Sequence, residues 1–411
     1  MPIYLDHNAS TPPYSAVVEA MLPWLREKHA NPHSDHLHGR LAADSIEQAK
    51  HSVAQLIGAS PEEIIFTSGA TEASNLALQG YLRAYGDAGS LIYSAIEHPC
   101  VREVALALAK FGTQVQEVGV DRRGCIDPVA IGQAVRSSRR TRSLVSIIHA
   151  NNEIGTVQAI SPLVAEAHAH GAVFHLDASQ SLAWIDVDVG EGVDLATLSS
   201  HKIGGPMGIG ALYVADGLRE ELTPLTFGGG QQSGLRPGTI PVFLAVGFGV
   251  ACDLVLAERA KRTLAAENAA NAFLSVLASS GVSFEVLGSA QNRLPGLRSI
   301  RFPGIEARDL LDRLQTSVSA SASSACASGD FKASHVLRAI GLGESEAMQV
   351  VRFGFGARTS VQEAEFAAQH LSSGLISASR TEATAGQNLS QIRLSRTVMA
   401  ASCTKPRKFS A

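Results

Sequence analysis

The chain has 411 residues, 45% of them apolar and 18% charged, with a formal net charge of -4. That length favours a large domain accompanied by a smaller one, and the composition is that of an ordinary globular protein. The weak negative charge gives no electrostatic case for a direct nucleic-acid or membrane partner, which leaves small molecules and other proteins.

At the N-terminus, "MPIYLDHNAST" lacks a basic region followed by an apolar one and reaches an acid at Asp6, so it does not read as a secretory signal. "NPHSDHLHG" gathers His33, His36 and His38, but no cysteine or carboxylate arrangement completes a zinc site, and no metal is expected. From about residue 60 to 215, short β-rich runs alternate with segments of helical period: "EIIFTS" then "TEASNLALQGYLRAYG", "SLIYSA" then "PCVREVALALAKFG", "SLVSIIHAN" then "ISPLVAEAHAHG", followed by "AVFHLDAS", "DLATLSS" and "GIGALYVA". This alternation predicts an α/β fold with a mostly parallel sheet covered by helices. Further on, the longest uninterrupted apolar run, Val242 to Cys252, is too short for the ~20 residues of a membrane span. A soluble, cytoplasmic protein is expected.

After "RTLAAENAANAFLSVLASSG" the pattern becomes mixed, with "VSFEVLG", "LRSIRFP" and "EARDLLDRLQ", which predicts a smaller α+β domain. The expected division is a large domain over 15–259, a small one formed by 1–14 and 260–378, and a flexible basic tail over 379–411. That tail carries Arg393, Arg396, Lys405, Arg407 and Lys408. The five cysteines, Cys100, Cys125, Cys252, Cys326 and Cys403, are scattered without a CxxC pair, which argues against a disulfide framework and a thiolate metal site.

Polar and small residues cluster where the predicted strands end: Gly69-Ala70-Thr71, Glu97-His98, Asn151-Asn152, Asp177 with Gln180, and Ser199 to Lys202. Open α/β sheets bind ligands beyond the carboxyl ends of their strands. In "SSHKIGGPMGIGALYV", Lys202 follows a histidine and precedes a glycine-rich bend. A partly desolvated lysine loses preference for its charged form, and the neutral amine can condense with a carbonyl, as with pyridoxal 5'-phosphate. That cofactor needs an acid beside its pyridine nitrogen, and Asp177 at the end of an apolar strand is placed for this, although an aspartate there also caps turns. Its phosphate needs N–H donors at a helix start, which "TSGATEASN" offers.

Eight motifs in register, "TSGATEASNLAL", "EHPCV", "HANNEIGTVQ", "HLDASQS", "SSHKIGGPMGIGALYV", "GGGQQSGLRPGT", "SSACAS" and "VRFGFG", resemble the cysteine desulfurases of the class V aminotransferase group, fold-type-I pyridoxal-phosphate enzymes. The resemblance reaches to about residue 375. It implies a homodimer with active sites near the subunit interface, conversion of L-cysteine to L-alanine, and sulfur held as an enzyme persulfide. By motif, Lys202 would be the Schiff-base lysine, Asp177 the pyridinium partner, and Gln180 a partner of the ring hydroxyl with Asn152 beside it. His98 would stack on the ring and help move protons. Ala70, Thr71, Ser199 and His201 would hold the phosphate, joined by Thr239 of the other subunit. Arg352 would grip the substrate carboxylate, with Asn31 near it.

Cys326, in "SVSASASSACASGDFKASHVLRAIG", sits in a run of small polar residues that reads as a mobile loop able to carry a thiol into the pocket and out to an acceptor protein. The loop resembles the family branch with the longer cysteine loop. Three positions depart from the family pattern: Ser323 replaces a small glycine step, and Gly204 and Met207 stand where an aromatic and a lysine are frequent. A selenocysteine lyase, an aminotransferase or a related lyase on the same scaffold, and a non-catalytic partner of a sulfur-transfer assembly, are the alternatives. The sequence leaves the acceptor open among iron–sulfur cluster assembly, tRNA or cofactor thiolation, and DNA sulfur modification.

Overall fold

The protein is seen here as a computed structural model that describes residues 1–84, 89–138, 140, 142–323 and 333–375. Its central sheet has seven strands: β1 (Ile64–Thr67), β2 (Ser90–Ser94), β3 (Gln114–Val118), β4 (Ser143–Ile148), β5 (Ala172–Asp177), β6 (Leu195–Ser199) and β7 (Gly210–Val214). Their spatial order is β1-β7-β6-β5-β4-β2-β3, and β7 alone runs against its neighbours. The predicted mostly parallel α/β sheet is therefore the observed one. Strands β2 and β4 are buried along their whole length, as a sheet covered on both faces requires.

Alternation along each strand divides the core in two. Ile64 and Phe66 of β1 and Ile92 of β2 face one apolar layer; Ile65, Leu91 and Tyr93 face the other. Helices Ala70–Arg83, Pro99–Lys110, Pro128–Ser137 and Ile160–Ala169 cover the sheet. Pro99 and Pro128 open theirs at the first turn, where the missing N–H costs nothing, and the side chains of His98 and Asp127 accept the hydrogen bonds that cap them.

A second, four-stranded antiparallel sheet follows, from Glu285–Val286, Leu297–Arg301, Ser321–Ala322 and Val350–Gly354. Its core gathers Phe273, Phe302, Phe353 and Phe355, all fully buried. The chain's first residues return here: Ile3–Tyr4 pairs in parallel with Val318–Ser319, and Asp6 bridges to Gly354.

One helix, Val242–Ser279, runs from the first core, where it buries Phe248, Cys252 and Val255, into the second, where it buries Phe273 and Leu277. The apolar run at 242–252 is thus the start of a helix packed against helices Ser15–Arg26 and Leu37–Ile57. Among the described residues, no helix is long and apolar enough to cross a membrane. The tail over 379–411, Cys403 and Cys326 lie outside the described residues.

Gly204 stands where no side chain would fit. It adopts a left-handed φ of 83°, and a Cβ there would lie 2.1 Å from the Tyr14 ring. Tyr14 fills the space a side chain at 204 would need, with the guanidinium groups of Arg262 and Arg358 over its ring at 4.1 and 4.2 Å. Gly204→Ala is expected to cost about 2–4 kcal/mol in a denaturant titration, from backbone strain plus overpacking. The double variant with Tyr14→Ala should cost less than the sum of the singles. Additive losses would show that the two positions do not share the space.

Candidate active site

The C-terminal ends of β1, β2, β4, β5 and β6 and the start of the reversed β7 converge on a cavity of about 410 Å³. It is lined by Ala70, Thr71, His98, Asn152, Asp177, Gln180, Ser199, His201 and Lys202, all singled out from the sequence, and by Cys100, Ser179 and Met207 at its walls and mouth. Shared strand polarity brings these dispersed residues together, because each predicted site residue stands at or just beyond the end of its strand.

Lys202 lies in a short 3-10 turn after β6, and its Nζ donates to the carbonyls of Asn8 at 2.6 Å and Ala9 at 2.8 Å. Burial, and then the nearby positive charge of Arg352, bring its pKa down to about 8, although Asp6 and Asp177 pull the other way. Asp177 is 2% exposed and accepts at Oδ1 from the Ser179 N–H at 2.9 Å. His98 caps its helix by accepting the Cys100 N–H at Nδ1, which leaves the ring proton of the neutral form on Nε2. Burial lowers its pKa, against the pull of Asp177, so neutral is the ordinary state. His201 is likewise pushed down to about 4, by burial first and Lys202 second.

The buried Ser199 hydroxyl has no hydrogen-bond partner. It shares the cavity with the N–H groups that open the 14-residue helix Ala70–Arg83, which the helix itself leaves unpaired. An unpartnered donor beside a helix N-terminus suits a phosphate, and Asp177 beneath the same cavity suits a protonated ring nitrogen. The residues present therefore fit pyridoxal phosphate.

Arg352 stands on the second sheet, and its Nη2 pairs with Asp6 Oδ1 at 2.7 Å while Nη1 donates to the Asn152 carbonyl at 3.0 Å. Its Nε is buried without a partner, and Arg352 is not among the residues that line the cavity: its fork is engaged by Asp6 and Asn152 at the cavity's back. Asp6 also accepts from Ser321 Oγ at 2.7 Å, and Asn8 exchanges hydrogen bonds with the Gln180 amide at 2.8 and 3.3 Å. The N-terminal segment thus forms part of the site, which local sequence pattern gave no means of finding. Its signal lies in the long-range pairing of Ile3–Tyr4 with Val318–Ser319.

Other expected residues stand elsewhere. Asn31 is exposed and does not line the cavity; its Oδ1 accepts the His33 N–H at 3.0 Å, the local turn usual before a proline. Within this subunit Asn31 therefore stands off the cavity. Thr239 is exposed and also outside the cavity's own lining, in a loop anchored by Gln232 on the backbone of Phe66 and by Arg236 on Glu72. His36 caps helix Leu37–Ile57 by accepting the Gly39 N–H, which explains one of the clustered histidines.

The model of the class-V aminotransferases matches residues 3–366. A cysteine desulfurase IscS of Rickettsia akari (strain Hartford) is 39% identical over 370 residues, 89% of each chain. Among solved structures, a NifS-like protein superposes with a TM-score of 0.84 at 30% identity, covering 91% of this chain and 99% of its own. A structure described as SspA in complex with cysteine gives 0.75 at 37% identity, over 86% and 98%. On sequence, on fold and on the residues gathered at the strand ends, this chain belongs to the class-V aminotransferase family and, within it, to the cysteine desulfurases.

Proposed function

We propose that the protein is a pyridoxal-phosphate-dependent cysteine desulfurase that converts L-cysteine to L-alanine and keeps the sulfur as a persulfide on Cys326 for transfer to an acceptor protein. The observation that carries this reading is the partly neutral amine of Lys202 sharing one buried cavity with Asp177 and the unpartnered Ser199 hydroxyl. Bound pyridoxal phosphate supplies an electron sink at the substrate's α-carbon, strong only while its ring nitrogen is protonated. Asp177 holds that proton in place, and Ala70, Thr71, Ser199 and His201 hold the phosphate. Gln180 and Asn152 flank the ring, with His98 against it. Arg352 binds the substrate carboxylate, which takes the place Asp6 holds on its guanidinium, and Lys202 moves the α-proton. The Cys326 thiolate attacks the substrate sulfur, so the carbon–sulfur bond breaks as the sulfur–sulfur bond forms, and the carbon fragment takes up a proton to leave as alanine.

The domain division at residue 259/260 belongs to the same proposal. It is supported by the two separate cores and by the helix Val242–Ser279 that passes between them. A homodimer, with Thr239 lent across the interface, is supported by the exposure of that residue on an anchored loop. The relatives named IscS favour iron–sulfur cluster assembly as the destination of the sulfur. The cytoplasm is the matching location.

Lys202 gives a pH test. Its amine is protonated below about 8, and only the neutral form attacks a carbonyl, so uptake of pyridoxal phosphate by cofactor-free protein should quicken with rising pH and level near 8. An ordinary lysine would go on gaining until about 10.4. A rate still climbing at pH 10 would mean that the site does not depress this amine. The decisive experiment on the reaction is peptide mass spectrometry of the holoenzyme after L-cysteine without reductant. One extra sulfur on Cys326 is expected; an unmodified Cys326 in a cofactor-loaded protein that turns cysteine over would end the proposed route.

A further inference from the structure

Behind Asp177 lies a line of buried polar side chains that the reaction as described does not use. Cys100 Sγ stands 3.9 Å from Asp177 Oδ2 and 3.6 Å from Ser74 Oγ. Ser74 Oγ is 3.1 Å from Thr197 Oγ1, which is 2.9 Å from His175 Nε2, and His175 Nδ1 is 2.8 Å from Ser146 Oγ. Ser74, Thr197, His175 and Ser146 have no exposed surface.

Hydrogen counting fixes the direction of this line. A carboxylate only accepts, so the thiol gives its single hydrogen to Asp177, and its sulfur then accepts from Ser74. Ser74 has spent its hydrogen and accepts from Thr197, Thr197 accepts from His175 Nε2–H, and Nδ1 accepts from Ser146. Burial pushes His175 down to about 4, against the pull of Asp177, so the ring is neutral and has one donor and one acceptor, as the line requires. Burial, then the charge of Asp177, push the Cys100 thiol up, which makes it a donor and a poor nucleophile despite its place in the cavity wall.

We propose that Cys100 is a positioning residue: held by Ser74, Thr197 and His175, its thiol points a hydrogen at Asp177 Oδ2 and fixes that carboxylate in the orientation that meets the cofactor's ring nitrogen. The Ser179 N–H holds the other oxygen, so the carboxylate is fixed from two sides. The inference rests on the pyridoxal-phosphate reading of the site, and it concerns a residue outside the chemistry of sulfur.

Two measurements test it. In cofactor-free protein, nitrogen–proton NMR of the histidine rings, with His175 assigned by difference from His175→Gln, should show the Nε2–H tautomer; the Nδ1–H tautomer reverses the line and overturns the proposal. In the holoenzyme, Cys100→Ala should release pyridoxal phosphate roughly 3–10-fold faster, the effect of one lost ordinary hydrogen bond, since S–H is a weak donor even toward a carboxylate, and Cys100→Ser should restore the wild-type rate to within about twofold. Cys100→Ala combined with Ser74→Ala should release it no faster than Cys100→Ala alone, since the serine acts through the thiol. Wild-type release from Cys100→Ala, no restoration by serine, or additive effects would each overturn it. Should Cys100→Ala fail to fold, Cys100→Ser and the His175 tautomer still decide. Failure of the wild type to bind pyridoxal phosphate would defeat the cofactor reading instead, with the tautomer left to judge this one.

Discussion

Lys202→Ala is expected to lower alanine production from L-cysteine by at least about 10³-fold, the scale on which a positioned acid–base group acts, and to remove the visible absorbance of covalently held cofactor. Two roles disappear together: the amine that binds the aldehyde and the base that moves the α-proton. The depressed pKa of about 8 identifies this amine as the one prepared for both, since an ordinary surface lysine is almost wholly protonated near neutrality. Lys202→Arg should be just as inactive, because a guanidinium stays charged and cannot supply a free electron pair. Both variants should keep the fold, because Nζ bonds only to two backbone carbonyls of the N-terminal segment, Asn8 and Ala9. Turnover within tenfold of the wild type, or a retained covalent absorbance band, would remove Lys202 from the centre of the mechanism.

The strand-end residues were legible because their signal is local. Each ends an apolar strand or follows one by a few positions, and parallel strands put all such positions at one end of the sheet whatever the strand order. The Gly69 to Thr71 turn, Asp177 and Lys202 needed only that rule. Asp6 and Asn8 were not legible, because they reach the site through the pairing of Ile3–Tyr4 with Val318–Ser319 and the bridge from Asp6 to Gly354, contacts more than 300 residues apart that no periodicity announces. The helix Val242–Ser279 was read in pieces for a related reason. Its first turns carry no polar face, with Phe243, Leu244, Val246 and Val250 apolar though only half-buried, so they look like a bare apolar run instead of an amphipathic helix. Tyr14 and Gly204 show the same limit at smaller scale: the glycine is visible as a departure, but the ring that fills its place stands 190 positions earlier.

Cys326→Ser is the substitution that separates sulfur chemistry from everything else this scaffold does. The variant should keep its bound cofactor and its absorbance, since none of the described residues lining the cavity is altered, while catalytic production of alanine falls by on the order of 10³-fold or more, because a serine hydroxyl is far too weakly acidic to supply the attacking anion. The other described cysteines cannot take over. Cys100 lies in the cavity wall, but burial and Asp177 hold its thiol protonated and its hydrogen is directed at the carboxylate. Cys252 is wholly buried in the core, and burial raises its pKa too. The remaining cysteine of the described residues, Cys125, is half-buried in a turn and bonds through its backbone to Asp121, away from the cavity lining. Cys326→Ser holoenzyme mixed with L-cysteine should therefore bind the substrate, as a shift in the cofactor spectrum, and stop before alanine. Spectral binding without turnover assigns the sulfur-accepting step to Cys326. Undiminished alanine production would mean that carbon–sulfur cleavage proceeds without an enzyme thiol, which is the behaviour of a lyase and not of a desulfurase.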